Sequence, residues 1–232
     1  MDSALAGFDW TTPFIADACV QLSLPVRVGP YGLKCNFPGS KAAGPARVAR
    51  HAGSVDVFLE AIVASRKGDV LVIDNGGRTD EGCIGDLVVA EAFMTGITAT
   101  ICWGTHRDTT AIAAIGARVW SLGTCPNGPL ELRRRSMTAL TAASLGAVTV
   151  TPDDCVFADD DGVVVVAGQD LDRVVETARD IASREAAQAE RLLKGDLLRT
   201  QFDLDRYVAR RHADPNYTFR EHLKSFGGAI EI

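Results

Sequence analysis

Long apolar runs, an excess of basic charge and paired cysteines are all missing from this chain, and each absence removes a class of function. No stretch is apolar for long enough to cross a bilayer, and the start Met1-Asp2-Ser3 has neither the basic nor the apolar segment of a secretory leader. No membrane partner is therefore expected, and the cytoplasm is the expected compartment. Lys and Arg total 24 against 30 Asp and Glu, a formal net charge of -6, and no basic run offers a surface that tracks phosphates. Nucleic acid is not an expected partner. The six cysteines (Cys19, Cys35, Cys83, Cys102, Cys125 and Cys155) form no C-x-x-C pair and have no histidine at metal-site spacing, so they read as reduced, small core residues. The pair Gly76-Gly77 follows a strand-like run but lacks both the G-x-G-x-x-G spacing and a G-K-[ST], which leaves no nucleotide cradle.

What is present is a globular composition, 47% hydrophobic and 23% charged over 232 residues, enough for one sizeable core. The expected division is one α/β domain over residues 1–195 and an extension over 196–232 that packs on the domain or on a neighbouring subunit. Thr11-Thr12-Pro13 before Phe14, Ile15, Ala18, Cys19 and Leu22 spells a capped helix with Pro in its first turn and one apolar stripe. Residues 24–45, punctuated by Pro25, Pro30, Pro38 and Pro45, read mostly as loop and short strand, and a helix follows from about Ser54 to Ser65.

The run Val70-Leu71-Val72-Ile73-Asp74 has the continuous apolarity of a buried parallel strand, which Asn75-Gly76-Gly77-Arg78 is expected to end. A helix from about Gly85 to Met94, a strand over Ile97 to Trp103, a helix from about Asp108 to Ile115 capped by Gly116, and a strand at Arg118-Val119-Trp120 complete a βαβαβ pattern, hence a parallel sheet. Beyond Pro126 and Pro129, the short runs Ala147 to Val150, Cys155 to Ala158 and Val163 to Ala167 suggest antiparallel hairpins, and a long charged helix spans about Asp170 to Lys194. The fold class is thus α/β, a central parallel βαβαβ core with an antiparallel β-hairpin region and a C-terminal helix.

Two loops, Cys83-Ile84-Gly85-Asp86-Leu87 and Trp103-Gly104-Thr105-His106-Arg107-Asp108, each follow a strand and open a helix, so both emerge at the carboxyl edge of the sheet, where ligands bind. The N–H groups of residues 85 to 88 and the Arg107 fork would together receive a carboxylate. Asp108 offers hard oxygen suited to Mg²⁺ or Mn²⁺. Gly104 is expected to let a ligand approach the backbone closely. Each motif alone is more ordinarily a helix cap or an ion pair; their pairing on successive loops raises the functional reading. His106 is expected behind the site rather than as a ligand, while His51, His212 and His222 lie far apart in the sequence. Three competing motifs fail. His106-Arg107-Asp108 lacks the Asn of a kinase catalytic loop, since Ala stands at position 113. Asp159 to Gly162 lacks the spaced ligands of an EF-hand and reads as a hairpin turn. Lys34, Lys41, Lys67, Lys194 and Lys224 lie outside both loops, which disfavours an imine-forming aldolase.

Taken together, "IADA" at Ile15 to Ala18, "GDVLVID" at Gly68 to Asp74, "GDL" at Gly85 to Leu87, "WGTHRD" at Trp103 to Asp108 and "VFADDDGVVVV" at Val156 to Val166 resemble the RraA-like family over about Phe14 to Gly195. That family includes 4-hydroxy-4-methyl-2-oxoglutarate aldolases and RraA regulators of ribonuclease E. The resemblance implies a substrate-binding segment at Gly85, Asp86, Leu87 and Val88, a carboxylate-binding arginine at Arg107 and a metal-binding aspartate at Asp108. It also implies a glutamate reaching the site from a neighbouring subunit, Glu190 or Glu185, and assembly as a homotrimer or a dimer of trimers. The implied activity is a divalent-metal-dependent lyase that releases pyruvate from a small 2-oxo acid, with Asp86 handling the proton and oxaloacetate decarboxylation at the same site. The alternatives are a non-catalytic regulator of a ribonuclease and a metal-dependent 2-oxo acid isomerase or hydratase.

Overall fold

The structure, a computed structural model, describes residue 5 and residues 7–224; Met1-Asp2-Ser3 and residues 225–232 of the extension lie outside the described residues. Helix α1 (Thr12–Gln21) starts as its sequence requires. Thr11 is extended and its side chain accepts from the Phe14 N–H at 3.4 Å, with Pro13 in the first turn. The buried stripe Ile15, Ala18 and Cys19 packs with Trp10 against the hairpin of β9 (Asp154–Ala158) and β10 (Val163–Ala167) and against Val174, Val175, Ala178 and Ile181 of the long helix α5 (Leu171–Leu193).

The remaining strands are β1 (Arg27–Val28), β2 (Lys34–Cys35), β3 (Ala42–Arg50), β4 (Val70–Ile84), β5 (Ala99–His106) and β6 (Val119–Ser121), with a separate small pair β7 (Ala143–Leu145) and β8 (Val148–Val150). One eight-stranded sheet runs β1-β10-β9-β3-β4-β5-β6-β2, parallel from β3 to β6 and antiparallel elsewhere. Helices α2 (Asp56–Val63), α3 (Asp86–Met94) and α4 (Thr109–Ile115) accompany the parallel half. Leu71 and Ile73 face a core containing Phe58, Ile62 and Val89, whereas Val70 and Val72 face the opposite core with Trp120 and Val156. Both faces of β4 are buried, which is why its sequence is apolar without alternation. No described helix is long and apolar enough to cross a membrane.

Two segments depart from the sequence reading. Asn75-Gly76-Gly77-Arg78 does not end β4: the strand continues to Ile84, with register shifts between Asp74 and Arg78, Arg78 and Gly82, and Gly82 and Ile84 against β5. Gly76 and Gly77, at φ 67° and 71°, make the backbone bulge rather than turn back, and a Cβ at Gly77 would stand 2.9 Å from the Trp103 ring nitrogen. Residues 42–50 form β3, although 42–45 lie in the segment expected mostly as loop and short strand and the sequence assigns 46–50 no element. Its first part pairs antiparallel with β9 and its second part, from Ala46, parallel with β4, so Pro45 stands at the changeover, where a missing N–H costs least. Arg47 and Arg50 lie along this strand in ion pairs with Asp69 (2.6 Å) and Asp74 (3.0 Å).

After α5 come three short helices, α6 (Leu198–Gln201), α7 (Leu204–Ala213) and α8 (Phe219–Leu223). They hold an aromatic cluster of Phe202, Tyr207, Tyr217 and Phe219 around the buried His222, whose Nε2 lies 2.6 Å from the Phe202 carbonyl oxygen. Gln201 Nε2 donates to the carbonyls of Asp196 (2.7 Å) and Gln188 (3.3 Å), tying this segment to the end of α5.

Candidate functional site

Because β4 and β5 are neighbours that finish together, with Ile84 opposite His106, the loops at residues 85–86 and 107–108 meet. The Arg107 N–H donates to the Ile84 carbonyl at 3.0 Å. A Cβ at Gly85 would stand 3.2 Å from Arg107 Nε and nearer still to Asp108 Oδ2, and one at Gly128 would stand 2.6 Å from Arg107 Nη1. Two glycines thus clear the room that the guanidinium occupies. The loop carrying Gly128 is held over the strand ends by Gly82 N–H to the Asn127 carbonyl (2.7 Å) and Cys125 N–H to the His106 carbonyl (2.9 Å).

Asp108 stands at the N-cap position of α4 but does not cap it: its side chain makes no cap hydrogen bond, and its backbone is left-handed at φ 61°, ψ 36°. Only Ser23 and Asp203 share a positive φ among the described non-glycine residues. A left-handed aspartate costs energy and persists where its surroundings impose it. The carboxylate it presents is half-exposed and lies 3.3 Å from Arg107 Nε. Asp86 opens α3, where its Oδ1 accepts from the Leu87 N–H at 2.8 Å. One of the first-turn N–H groups expected to receive an anion is therefore already engaged, by a side chain that itself faces the site.

Gly85, Asp86, Leu87, Val88 and Arg107 line one cleft of ≈ 380 Å³, together with His51, Gly82, Cys83 and a wall that includes Val55, Leu59, Glu91 and Pro129. The residues expected to bind substrate are thus brought together. Among the described residues no group of three or more His, Cys, Asp or Glu side chains is placed to hold a metal ion. Those residues thus form no closed, all-protein cage by themselves. The arrangement fits a hard cation of the Mg²⁺ kind held by one or two carboxylates, with substrate and water completing the shell. Asp108, free of capping duty and beside Arg107, is the side chain suited to that role. Glu190 is not brought to the cleft within the chain; it is exposed on α5 and pairs with Lys194 at 2.6 Å, while Glu185 is half-buried on the same helix.

His106 stands behind the site, as expected. It is buried, its Nδ1 lies 2.8 Å from Ser121 Oγ and its Nε2 3.3 Å from Thr109 Oγ1, and burial pushes its imidazole below the usual histidine range. The expectation for Gly104 does not hold. The space above it is filled by Asn75, whose Cβ would lie 2.9 Å from a Cβ at position 104, so this glycine admits the β4 bulge and not a ligand.

Sequence reasoning passed over His51. It follows β3 immediately, its Nδ1 is 2.9 Å from Asn75 Oδ1, and its ring stacks on Phe58 at 5.2 Å. Burial holds its imidazole below the ordinary range, against the opposing pull of the Asn75 bond and the Glu81 carboxylate. Glu81, also buried, lies 3.7 Å from His51 Nδ1, 3.2 Å from Arg78 and 3.3 Å from Arg133. Neither His51 Nε2 nor Asn75 Nδ2 has a hydrogen-bond partner among the described residues. Had β3 been recognised as parallel to β4, the rule that ligands gather at carboxyl ends would have pointed to His51.

Known proteins share this fold. Residues 12–165 match the family model described as RraA-like, Aldolase/RraA. A protein of Albidiferax ferrireducens whose name proposes 4-hydroxy-4-methyl-2-oxoglutarate aldolase activity is 35% identical over 106 residues, 46% of this chain and 60% of that protein. This chain thus matches less than two thirds of that relative's length. A crystal structure from Pseudomonas syringae pv. tomato superposes with a TM-score of 0.73 at 23% identity, covering 84% of this chain and 94% of that one. A Streptomyces coelicolor protein described as an unusual member of the RNase ES inhibitor RraA family gives a TM-score of 0.71 at 25% identity, covering 82% and 96%. The matched span takes in both site loops and most of the sheet, and on that basis the chain belongs to the RraA-like family.

Proposed function

We propose that this protein is a divalent-metal-dependent lyase that cleaves 4-hydroxy-4-methyl-2-oxoglutarate or a related 4-hydroxy-2-oxo acid to pyruvate, and that oxaloacetate loses CO₂ at the same site. The observation that carries the reading is the meeting of Arg107 and the α3 N-terminus on one cleft, with Asp108, which does not line that cleft but caps nothing, holding its carboxylate 3.3 Å from Arg107 Nε. The aldolase named among its relatives supports it.

The Arg107 fork and the first-turn amides of α3 bind the substrate carboxylate and fix the orientation of the 2-oxo acid. Asp108 would hold Mg²⁺ or Mn²⁺, which would supply a Lewis acid for negative charge on the 2-oxo unit. Asp86, at the mouth of α3, holds the water that delivers a proton to the methyl carbon of the product. Val55, Leu59 and Pro129 form the apolar side of the cleft. A glutamate of a neighbouring subunit, Glu190 or Glu185, completes the site in a homotrimer or a dimer of trimers, and the extension at 196–232 packs on its own domain or on that neighbour.

The likeness to the Streptomyces coelicolor RNase ES inhibitor family member favours a second reading, a protein regulator of a ribonuclease without catalysis. Pyruvate release from oxaloacetate and from 4-hydroxy-4-methyl-2-oxoglutarate, with and without EDTA, separates the two. The lyase reading requires turnover that EDTA abolishes and Mg²⁺ or Mn²⁺ restores. Full activity in metal-stripped protein would discard the metal chemistry, and no pyruvate under any metal condition together with tight binding of a ribonuclease would leave the regulator.

A further inference from the structure

Two thiols meet behind the cleft. The Cys83 and Cys102 Sγ atoms lie 3.3 Å apart, in a core that also holds Ile73, Ile84 and Val89. Regular strand pairing does not account for the contact. Cys102 stands opposite Ile73 in the regular part of β4, whereas Cys83 falls in the irregular part, between Gly82 opposite Thr105 and Ile84 opposite His106.

The two sulfurs differ in access and in anchorage. Cys83, although only 3% exposed, lines the cleft, so a small solute that enters the site meets this member of the pair. Cys102 is wholly buried in β5, which has β4 on one side and β6 on the other. Its contact with Cys83, and then burial, push the Cys102 thiol well above the usual thiol range, so it keeps its proton. A disulfide holds its sulfurs about 2.05 Å apart, so bond formation would draw this pair together by about 1.2 Å. The bulged end of β4 is the side that can yield. That stretch is tied to the site: the Ile84 carbonyl accepts from the Arg107 N–H (3.0 Å), the Gly82 N–H donates to the Asn127 carbonyl (2.7 Å), and α3 opens at Asp86.

We propose that Cys83 and Cys102 are an oxidation site, closed to a reversible disulfide by hydrogen peroxide, and that closure shifts Arg107 and the α3 N-terminus out of their working geometry. The Cys83 sulfur takes one oxygen from the peroxide: its S–O bond forms as the O–O bond breaks, and the departing oxygen leaves as water with the thiol proton. The Cys102 sulfur then attacks the Cys83 sulfur. The S–S bond forms, the S–O bond breaks, and the departing hydroxide leaves as water with the Cys102 proton. Two thiols have lost two electrons, and the peroxide has been reduced to two waters. A dithiol reductant restores both thiols by exchange.

The bond itself stands apart from the lyase reading; its effect on turnover rests on that reading. In the test, the full-length, metal-loaded protein is exposed briefly to hydrogen peroxide, alkylated and mapped by mass spectrometry. A peptide pair joining Cys83 to Cys102 is expected. Pyruvate release should fall by about tenfold or more and return with dithiothreitol, since a displacement of about 1 Å in positioning groups costs up to about 10²-fold. Cys102→Ala, checked for folding by circular dichroism, should form no such pair and keep its turnover through the same exposure. Free Cys83 and Cys102 after treatment of the wild type overturn the inference whether or not the variant folds. A mapped bond with unchanged turnover overturns the control of the cleft, and so does an equal reversible loss in folded Cys102→Ala. Reduced protein that releases no pyruvate removes the lyase reading alone. The mapped bond and the amide hydrogen exchange of residues 84–88 then decide: altered exchange in the oxidised protein upholds the inference, and unchanged exchange overturns it.

Discussion

The antiparallel β9–β10 hairpin and the carboxyl edge of the parallel strands treat their aspartates in opposite ways. In the hairpin, Asp159 is buried and spent: it accepts from the Thr12 N–H (2.7 Å), the Thr12 hydroxyl (2.6 Å) and the Asp161 N–H (2.9 Å), pinning the start of α1 to the β9–β10 turn. Asp154 is held likewise by Arg27 (2.6 and 3.0 Å) and the Thr151 N–H (2.8 Å). At the carboxyl edge, Asp86 accepts from one neighbouring N–H and Asp108 lies 3.3 Å from one arginine nitrogen, both accessible at the strand ends. Read as sequence, Asp159-Asp160-Asp161 is the denser acidic run, yet the fold consumes the lone pairs of its first member. A carboxylate is available for chemistry where local structure leaves its oxygens free, and acid density along the chain does not report that.

This contrast breaks most cleanly under paired substitution. Asp108→Ala should abolish pyruvate release from every substrate while changing the free energy of unfolding by less than about 0.5 kcal/mol, since it removes an exposed side chain that caps nothing. Asp159→Ala should do the reverse, costing about 3 kcal/mol in urea unfolding by stranding the Thr12 donors, with turnover per folded molecule kept. If Asp108→Ala proved the more destabilising of the two, the division between spent and free carboxylates would be wrong.

At the carboxyl edge itself, Arg107→Lys should lose about 2 to 4 kcal/mol of transition-state stabilisation in kcat/KM, because an ammonium keeps the charge but not the two-pronged geometry. A near-wild-type value would remove Arg107 from the site. Asp86→Asn should slow kcat by about 10²-fold while oxalate, as a pyruvate analogue, still binds. Loss of oxalate binding in that variant would make Asp86 a binding group rather than a handler of protons.

The smallest effect concerns the histidines behind the site. Burial lowers the pKa of His51 and His106 below the ordinary histidine value of about 6.5, so the unfolded chain binds more protons than the folded one as pH falls below that value. Their contribution to stability is present above pH 6.5 and is lost as pH falls through the folded-state values, at up to about 1.4 kcal/mol per pH unit for each histidine. His106→Gln should flatten the stability profile between pH 7 and 5, measured by urea unfolding. An unchanged slope would show that His106 is not the titrating group.

Local pattern was enough for the βαβαβ core, the β9–β10 hairpin, α1 and α5, because each is written in neighbouring residues: an apolar run, a cap, an Asp-Gly turn, a stripe at helical period. It also pointed to Gly85 to Val88 and Arg107, which line one cleft, and to Asp108 beside Arg107, since loops that follow successive parallel strands must share one edge. The course of β3 was hidden, for its Pro45 and its arginines look like loop until β9, β4 and the partner carboxylates Asp69 and Asp74 are in place. The bulged continuation of β4, and with it the real work of Gly104 and the meeting of His51 with Asn75 and Glu81, depends on contacts between residues far apart in the chain. So does the meeting of the Cys83 and Cys102 thiols. Sequence spacing determined which residues stand at the sheet's edge; only tertiary packing decided which of them have free atoms, because hydrogen-bond partners are supplied from across the fold.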